Sequence, residues 1–96
     1  MMDDEILEAA TRVLALCRSR GWRVATAESC TGGLIAGAMT EIAGSSDVVE
    51  GGFVTYSNAA KTTLVGVPPG LFEQVGAVSA EVARAMAAGE IGRAHV

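Results

Sequence analysis

Apolar residues recur at helical spacing through the first part of the chain, and they fall on one face of the helix that this spacing predicts. The predicted helix covers residues 3–20, with acidic residues in its first turn, arginines in its last turn and Gly21 as its stop. One apolar face indicates a helix that packs against a sheet. That face consists of Ile6, Ala9, Ala10, Val13, Leu14 and Cys17.

The remaining sequence alternates between apolar runs typical of strands and periodic segments typical of helices. Two strands are predicted, over residues 22–27 and 48–56. Three further helices are predicted over residues 31–42, 59–65 and 80–88, with one additional turn over 71–75. The pair Gly51-Gly52 predicts a bulge or kink in the second strand, and Ser79 is expected to cap the last helix. Pro68-Pro69-Gly70 is expected to break the chain.

Composition limits the chain to one globular unit and excludes several classes of function. With 96 residues, 50% hydrophobic content and a net charge of -4, its scattered basic residues give no electrostatic footprint for nucleic acid. Cys17 and Cys30 form neither a disulfide framework nor a metal-binding spacing, which favours a reducing cytoplasm. The acidic start predicts no signal peptide, and no apolar run is long enough to cross a membrane.

The strongest candidate for chemistry is the run Glu28-Ser29-Cys30-Thr31-Gly32-Gly33, where the first strand turns into a helix. This position puts the Ser29 hydroxyl at a helix N-terminus, whose free amides and positive dipole can hold an oxyanion or phosphate. The two glycines let a ligand approach the backbone. An alternative is that Ser29 or Thr31 merely caps the helix.

A general base is needed beside such a serine, and Lys61 is the candidate. It lies in the first turn of the helix after the second strand, where the positive end of the dipole favours an uncharged, proton-accepting amine. The lone histidine, His95, is the last residue but one, so a serine-lysine pair is the remaining arrangement. Tyr56 is positioned to relay a proton. The alternatives are a solvated surface lysine and a half-buried strand tyrosine.

Four ordered motifs resemble the CinA C-terminal domain family, whose members are nicotinamide-nucleotide amidases. The motifs are ATAESCTGG at residues 25–33, IAGSS at 42–46, GFVTYSN at 52–58 followed by Lys61, and GAVS at 76–79. The resemblance implies an α/β fold of three layers, α/β/α, and a catalytic set of Ser29, Tyr56 and Lys61. It also favours Ser29 over Cys30 as nucleophile, since only one of these neighbours is expected to face the pocket.

The activity that this resemblance implies is hydrolysis of the carboxamide of nicotinamide mononucleotide through an acyl-enzyme, without a metal or an organic cofactor. The substrate-binding residues expected from the turn are Cys30, Thr31, Gly32 and Gly33, whose backbone amides stabilise the oxyanion. The expected binding partner is a small nucleotide substrate. The full-length protein is expected to form a homo-oligomer. A competing hypothesis is a non-catalytic module that binds a nucleotide or serves assembly.

The resemblance covers residues 3–89, whereas the family's domain continues through further strands. Residues 1–89 are therefore expected to be the N-terminal part of one truncated amidase domain, and this fragment is expected to be inactive. Residues 90–96 do not resemble the family. They back-translate to codons that resemble a sequencing-library adapter, so we expect them to be a non-native tail in which His95 has no role.

Overall fold

Five helices and a two-stranded parallel sheet make up residues 2–94, the part that this computed structural model describes; for residues 92–94 only the backbone is considered. The helices are α1 (Asp4–Ser19), α2 (Leu34–Glu41), α3 (Asn58–Val65), α4 (Pro69–Val75) and α5 (Ala80–Ala94). The strands are β1 (Val24–Glu28) and β2 (Val49–Val54), and a short 3-10 helix, Ser45–Asp47, precedes β2. The alternation of helices and strands was predicted from the sequence.

α1 is fixed at both ends by aspartates. Asp3 caps its start, because the carboxylate accepts a hydrogen bond of 2.9 Å from the amide of Ile6. Near its end, Arg18 donates through Nε and Nη2 to the two carboxylate oxygens of Asp47, at 2.8 and 2.9 Å. This paired contact ties the end of α1 to the segment that leads into β2.

β1 and β2 lie side by side in parallel, with Ala27 opposite Phe53 and Glu28 opposite Val54. The register shifts between the first two residues of β1, which confirms the bulge predicted for β2. β2 ends at Val54, two residues earlier than predicted. Tyr56 consequently lies in the loop after the strand.

Successive residues of β1 point to opposite faces of the sheet and contact different helices. Glu28 accepts hydrogen bonds from α2, whereas Ala27 packs against the apolar cluster that α5 contributes to. α2, with α1 behind it, therefore covers one face, and α5 covers the other together with α3 and α4. The three-layer α/β/α arrangement that the family resemblance implied is confirmed.

One apolar cluster of the core lies between the sheet and α5. Its buried centre consists of Val65, Val67, Val82 and Met86, and the partly buried side chains packed on it are Ala27, Phe53, Leu71, Phe72 and Ala85. Elsewhere, several large apolar side chains stay exposed, among them Leu34 at 64% on α2. No helix in the described part of the chain is long and apolar enough to span a membrane.

Three helix boundaries differ from the prediction by more than one residue, two of them for identifiable reasons. α2 begins at Leu34 and not at residue 31, because Gly32 and Gly33 adopt the left-handed backbone with φ of 60° and 101°. α4 is longer than one turn, because Pro69 occupies its first position, where no amide donor is required. α5 continues through Ala94, beyond the predicted end at residue 88.

The segment predicted to be a non-native tail begins inside α5. Glu90 in that segment is buried, whereas His95 and Val96 lie outside the described residues. Helical continuity does not reveal the origin of a segment. The boundary after residue 89 therefore stays a prediction.

The close crossing of α3 and α5 depends on Gly89. A Cβ at this position would overlap the carbonyl oxygen of Val65 at the end of α3, and backbone atoms there cannot rotate away. We expect Gly89→Ala to lower the free energy of unfolding by about 1–3 kcal/mol through overpacking. Urea unfolding followed by circular dichroism measures this loss.

The matched control for that substitution is Gly70→Ala. Gly70 lies in the first turn of α4 without a left-handed backbone, and the methyl group that alanine would add there meets no atom within 4 Å. Because alanine has a higher helix propensity than glycine, the control substitution is expected to be neutral or slightly stabilising. Equal stability of the Gly89→Ala variant and the wild type would contradict this prediction, because it would show that α3 and α5 can move apart at no cost in free energy.

Candidate active site

A cleft of about 180 Å³ opens at the edge of the sheet where β1 and β2 end. Parallel strands present their carboxyl ends at one edge, and α/β proteins commonly bind ligands there. One wall is the turn between β1 and α2, and the other is the segment before α5 together with its first turns. The lining residues are Ala27, Glu28, Ser29, Cys30, Thr31, Ile35, Ala77, Val78, Ser79, Val82, Ala83 and Met86.

The turn that follows β1 carries Ser29, which is half-buried in the cleft. The carbonyl of Ser29 accepts a hydrogen bond of 2.9 Å from the amide of Gly32, and the carbonyl of Thr31 accepts one of 3.1 Å from Leu34. These bonds close a tight turn that needs left-handed backbone at Gly32 and Gly33. Both glycines build the turn, and neither lines the cleft.

Glu28 is the buried charged group of this region, with 2% of its surface exposed. Its carboxylate accepts hydrogen bonds from the Thr31 hydroxyl at 2.7 Å, from the amide of Ile35 at 2.8 Å and from the amide of Ala36 at 2.9 Å. Burial by itself raises the pKa of this carboxyl. The bonds from the two amides and the hydroxyl, with a further one from the Gly33 amide, outweigh burial and hold the pKa below its ordinary value.

These contacts decide which amides of the turn remain open to a ligand. The amide of Gly32 donates to the carbonyl of Ser29, and those of Ile35 and Ala36 donate to the Glu28 carboxylate. The Gly33 amide helps to lower the pKa of Glu28, and Gly33 does not line the cleft. Within residues 2–94, no hydrogen-bond partner is found for the amides of Cys30 and Thr31. The turn therefore offers the amides of Cys30 and Thr31 as free backbone donors. This is half of the predicted set, which also included Gly32 and Gly33.

Neither Ser29 nor Thr31 caps α2, so that alternative is wrong. The cap position belongs to Gly33, which has no side chain to contribute, and the Thr31 hydroxyl donates to Glu28 instead. Glu28 supplies the acceptor for the helix from the end of β1. Sequence reasoning missed this role because capping is ordinarily sought at the residue next to the helix. The available signal was an acid at the end of an apolar strand facing a helix start.

Tyr56 and Lys61 lie beyond the carboxyl end of β2, the same edge that bears the cleft, but neither lines the cleft itself. Tyr56 is 87% exposed, so the half-buried strand tyrosine considered as an alternative is wrong. Ser57 caps α3, since its hydroxyl accepts a hydrogen bond of 3.0 Å from the amide of Ala60.

Lys61 is almost completely buried in α3, with 3% of its surface exposed, so the surface-lysine alternative is also wrong. Its Nζ lies 6.0 Å from the centre of the Phe72 ring on α4. No ion pair to Lys61 is found in the part of the chain that the structure describes.

The cleft contains two candidate nucleophiles. Ser29 and Cys30 both line it, although only one was expected to face the pocket; Ser29 is half-buried and Cys30 is exposed. Cys17 and Cys30 are free thiols. No cluster of three or more histidine, cysteine or carboxylate side chains suited to a metal occurs among the described residues.

Comparison with known proteins assigns the family. The model of the CinA C-terminal domain matches residues 6–96. The chain belongs to the CinA C-terminal domain family. It is 52% identical over 89 residues to the nicotinamide-nucleotide amidohydrolase PncC of Enterobacter agglomerans, covering 93% of this chain and 54% of that protein. To the protein of the same name from Pseudomonas putida it is 56% identical over 86 residues, covering 90% and 54%.

The fold agrees with this assignment. The crystal structure of the competence/damage inducible protein CihA from Agrobacterium tumefaciens superimposes with a TM-score of 0.90 and 50% identity, covering 97% of this chain and 56% of that one. Other CinA relatives are named only as CinA-like proteins. The chain spans about half the length of the PncC relatives it matches.

The lowered pKa of Glu28 predicts that part of the free energy of unfolding is lost at acidic pH. Because the folded chain favours the ionised carboxylate, the stabilisation is complete above the unfolded pKa of about 4.3 and is lost as pH falls through the lower folded pKa. Glu28→Gln should therefore be less stable than the wild type at pH 7, with the difference shrinking below about pH 4. Urea unfolding from pH 7 to pH 3 measures both curves.

The control for this comparison is Glu81→Gln, which removes an exposed carboxylate from the first turn of α5. Its curve is expected to run close to the wild-type curve. A stability difference between wild type and Glu28→Gln that stays constant over the whole pH range would contradict the ionised, hydrogen-bonded state of Glu28.

Proposed function

We propose that this chain contributes the nucleophile-bearing half of a nicotinamide-nucleotide amidase, which converts nicotinamide mononucleotide to nicotinate mononucleotide and ammonia. The observation that carries the proposal is Ser29, half-buried in a cleft beside the unpaired amides of Cys30 and Thr31. A hydroxyl next to two free backbone donors suits attack on an amide carbonyl. The two PncC relatives, each more than half identical to this chain, support the same substrate class.

The proposed reaction begins when the Lys61 amine takes the proton of the Ser29 hydroxyl and the serine oxygen attacks the carboxamide carbon. The amides of Cys30 and Thr31 stabilise the resulting oxyanion, each by about 3 kcal/mol. Lys61 returns the proton to the leaving nitrogen, and ammonia departs as the carbon–nitrogen bond breaks. Water, activated by the same amine, then hydrolyses the ester and restores the Ser29 hydroxyl. Tyr56 assists these proton transfers from the neighbouring loop.

This mechanism requires the Lys61 amine to come within hydrogen-bond reach of the Ser29 hydroxyl. Burial of Lys61 and the absence of an ion pair within the described residues support its role, because the amine is not committed to a carboxylate. Tyr56 and Lys61 both follow β2, whose carboxyl end lies beside that of β1. The three residues therefore lie on the segments that follow two adjacent strands at one edge of the sheet.

The proposal treats residues 1–89 as the N-terminal part of one amidase domain and residues 90–96 as a tail foreign to it. We expect further residues to complete the pocket, to bind the sugar and phosphate and to support a homo-oligomer, and we expect the chain alone to have little activity. The reaction belongs in the cytoplasm, in keeping with the free thiols of Cys17 and Cys30. The genomic reading frame past codon 89 tests the boundary: a frame that encodes residues 90–96 and stops would refute it.

A second candidate is a non-catalytic module that binds a nucleotide, which is consistent with relatives named only as CinA-like. Ammonia release by the completed domain, meaning the domain encoded by the uninterrupted genomic frame, separates the two. A binding module would retain the nucleotide unchanged and release no ammonia.

Crossed substitutions in the completed domain identify the nucleophile. Ser29→Ala is expected to lower kcat at least about a thousandfold with little change in substrate binding, because it removes the attacking oxygen. Cys30→Ala should have a mild effect, since only the backbone amide of Cys30 takes part. Ammonia release and calorimetric binding measure the two properties. The reverse pattern, a fatal Cys30→Ala and a mild Ser29→Ala, would assign the reaction to the thiol.

Substitutions of Lys61 test its role as base. Lys61→Ala is expected to be nearly as damaging to kcat as Ser29→Ala, and the double variant should lose little more than either single one, because the pair acts as a unit. Lys61→Arg should not restore activity, since a guanidinium stays protonated. Circular dichroism of each variant confirms folding. A fully active Lys61→Arg enzyme would leave the lysine, at most, as a positive charge for the substrate phosphate.

A further inference from the structure

Glu28, which precedes the turn, accepts five hydrogen bonds. Its main-chain carbonyl accepts hydrogen bonds from the amide of Thr55 at 2.8 Å and from the hydroxyl of Thr55 at 3.3 Å, and Thr55 is fully buried. Its side chain is held from the other direction by Thr31, Ile35 and Ala36. One residue thus links β1, the loop after β2 and the start of α2.

We infer that Glu28 is a positioning residue for the proposed reaction: its buried carboxylate fixes the turn that carries Ser29 against the end of β1. The inference deepens the proposed function and rests on it. Ser29 follows Glu28 directly, and Thr31 is held by the carboxylate on the far side of the turn. The segment that carries the nucleophile and the two unpaired amides therefore lies between two residues held by hydrogen bonds, Glu28 and Thr31.

The charge of Glu28 also defines which donors act on the substrate. A carboxylate at the start of α2 faces the positive end of the helix dipole and uses the amides of Ile35 and Ala36. An oxyanion or phosphate at the same place would meet a negative charge and would find those amides engaged. The amides of Cys30 and Thr31, before the helix, are consequently the donors for an oxyanion formed on a substrate bound at Ser29.

A neutral isostere tests the inference in the completed domain. Glu28→Gln replaces one acceptor oxygen by an NH₂ group, which repels the amide donors that it faces. We expect kcat to fall about ten- to hundredfold, the usual loss when reacting groups move by a fraction of an ångström to 1 Å. KM should change less than kcat. Glu81→Gln, at the exposed first turn of α5, is the control and should retain wild-type kcat and KM.

A merely structural role would lower the unfolding midpoint of Glu28→Gln but leave kcat of the folded enzyme at the wild-type value, and this result would overturn the inference. Glu28→Asp keeps the charge with a shorter reach and is expected to recover part of the lost kcat. Wild-type kcat in Glu28→Gln, together with an inactive Ser29→Ala enzyme, would refute the positioning role of Glu28 and leave the proposed function intact. Absence of any Ser29-dependent ammonia release would instead refute the proposed function.

An acid titration of the wild-type domain provides a test that needs no folded variant. Protonation of Glu28 should move the amide resonances of Ile35 and Ala36 together with those of Cys30 and Thr31, at one pKa below the ordinary range of a glutamate. Dependence of the second pair on the same ionisation supports the inference. Movement of the first pair alone would show that the carboxylate caps the helix without positioning the turn.

Discussion

The carboxylate of Glu28 is the interaction on which the arrangement of this site depends. A charged group with 2% exposure is costly unless hydrogen bonds replace its water, and three donors at 2.7–2.9 Å do so here. Those donors belong to the turn and to the first helical residues, so the same bonds that satisfy the charge also attach α2 to β1. Loss of the charge would leave these part-buried amides with weaker acceptors and would loosen helix and turn together.

Close packing on the opposite face of the sheet complements this polar attachment. α5 packs on the sheet and crosses the end of α3 so closely that Gly89 has no room for a methyl group beside Val65. Val82 and Met86 on α5 belong to the apolar core, and neighbouring atoms of the same residues line the cleft. The wall of the cleft opposite Ser29 is therefore part of the core, which gives that wall the rigidity a reaction site requires.

The sequence predicted the elements whose signals are local and missed those that depend on tertiary contacts. Strand-to-helix alternation, the cap at Ser79 and the turn after β1 follow from short-range patterns, and the structure agrees with them. The burial of Lys61 was not predictable, because it depends on α4 and Phe72 packing over it. The cap of α2 was missed for a related reason: its acceptor, Glu28, sits at the end of a strand, five residues before Gly33.

Three arginines are placed where they do not serve the phosphate of the proposed substrate. Arg18 pairs with Asp47, Arg23 pairs with Glu50, and Arg20 lies 5.0 Å over the ring of Trp22. All three arginines stand near the start of β1, at the edge of the sheet opposite the cleft, and their charges are engaged there.

At the cleft edge, the start of α2 already holds the Glu28 carboxylate, so the helix dipole is not free for a second anion. The turn after β1 can therefore supply a nucleophile and two backbone donors but no positive charge for a phosphate. In the proposed reaction, the amide end of the substrate belongs at Ser29, and its phosphate must extend away from α2 toward groups on other elements. Chemistry and anchoring of the substrate are thus assigned to different parts of the domain.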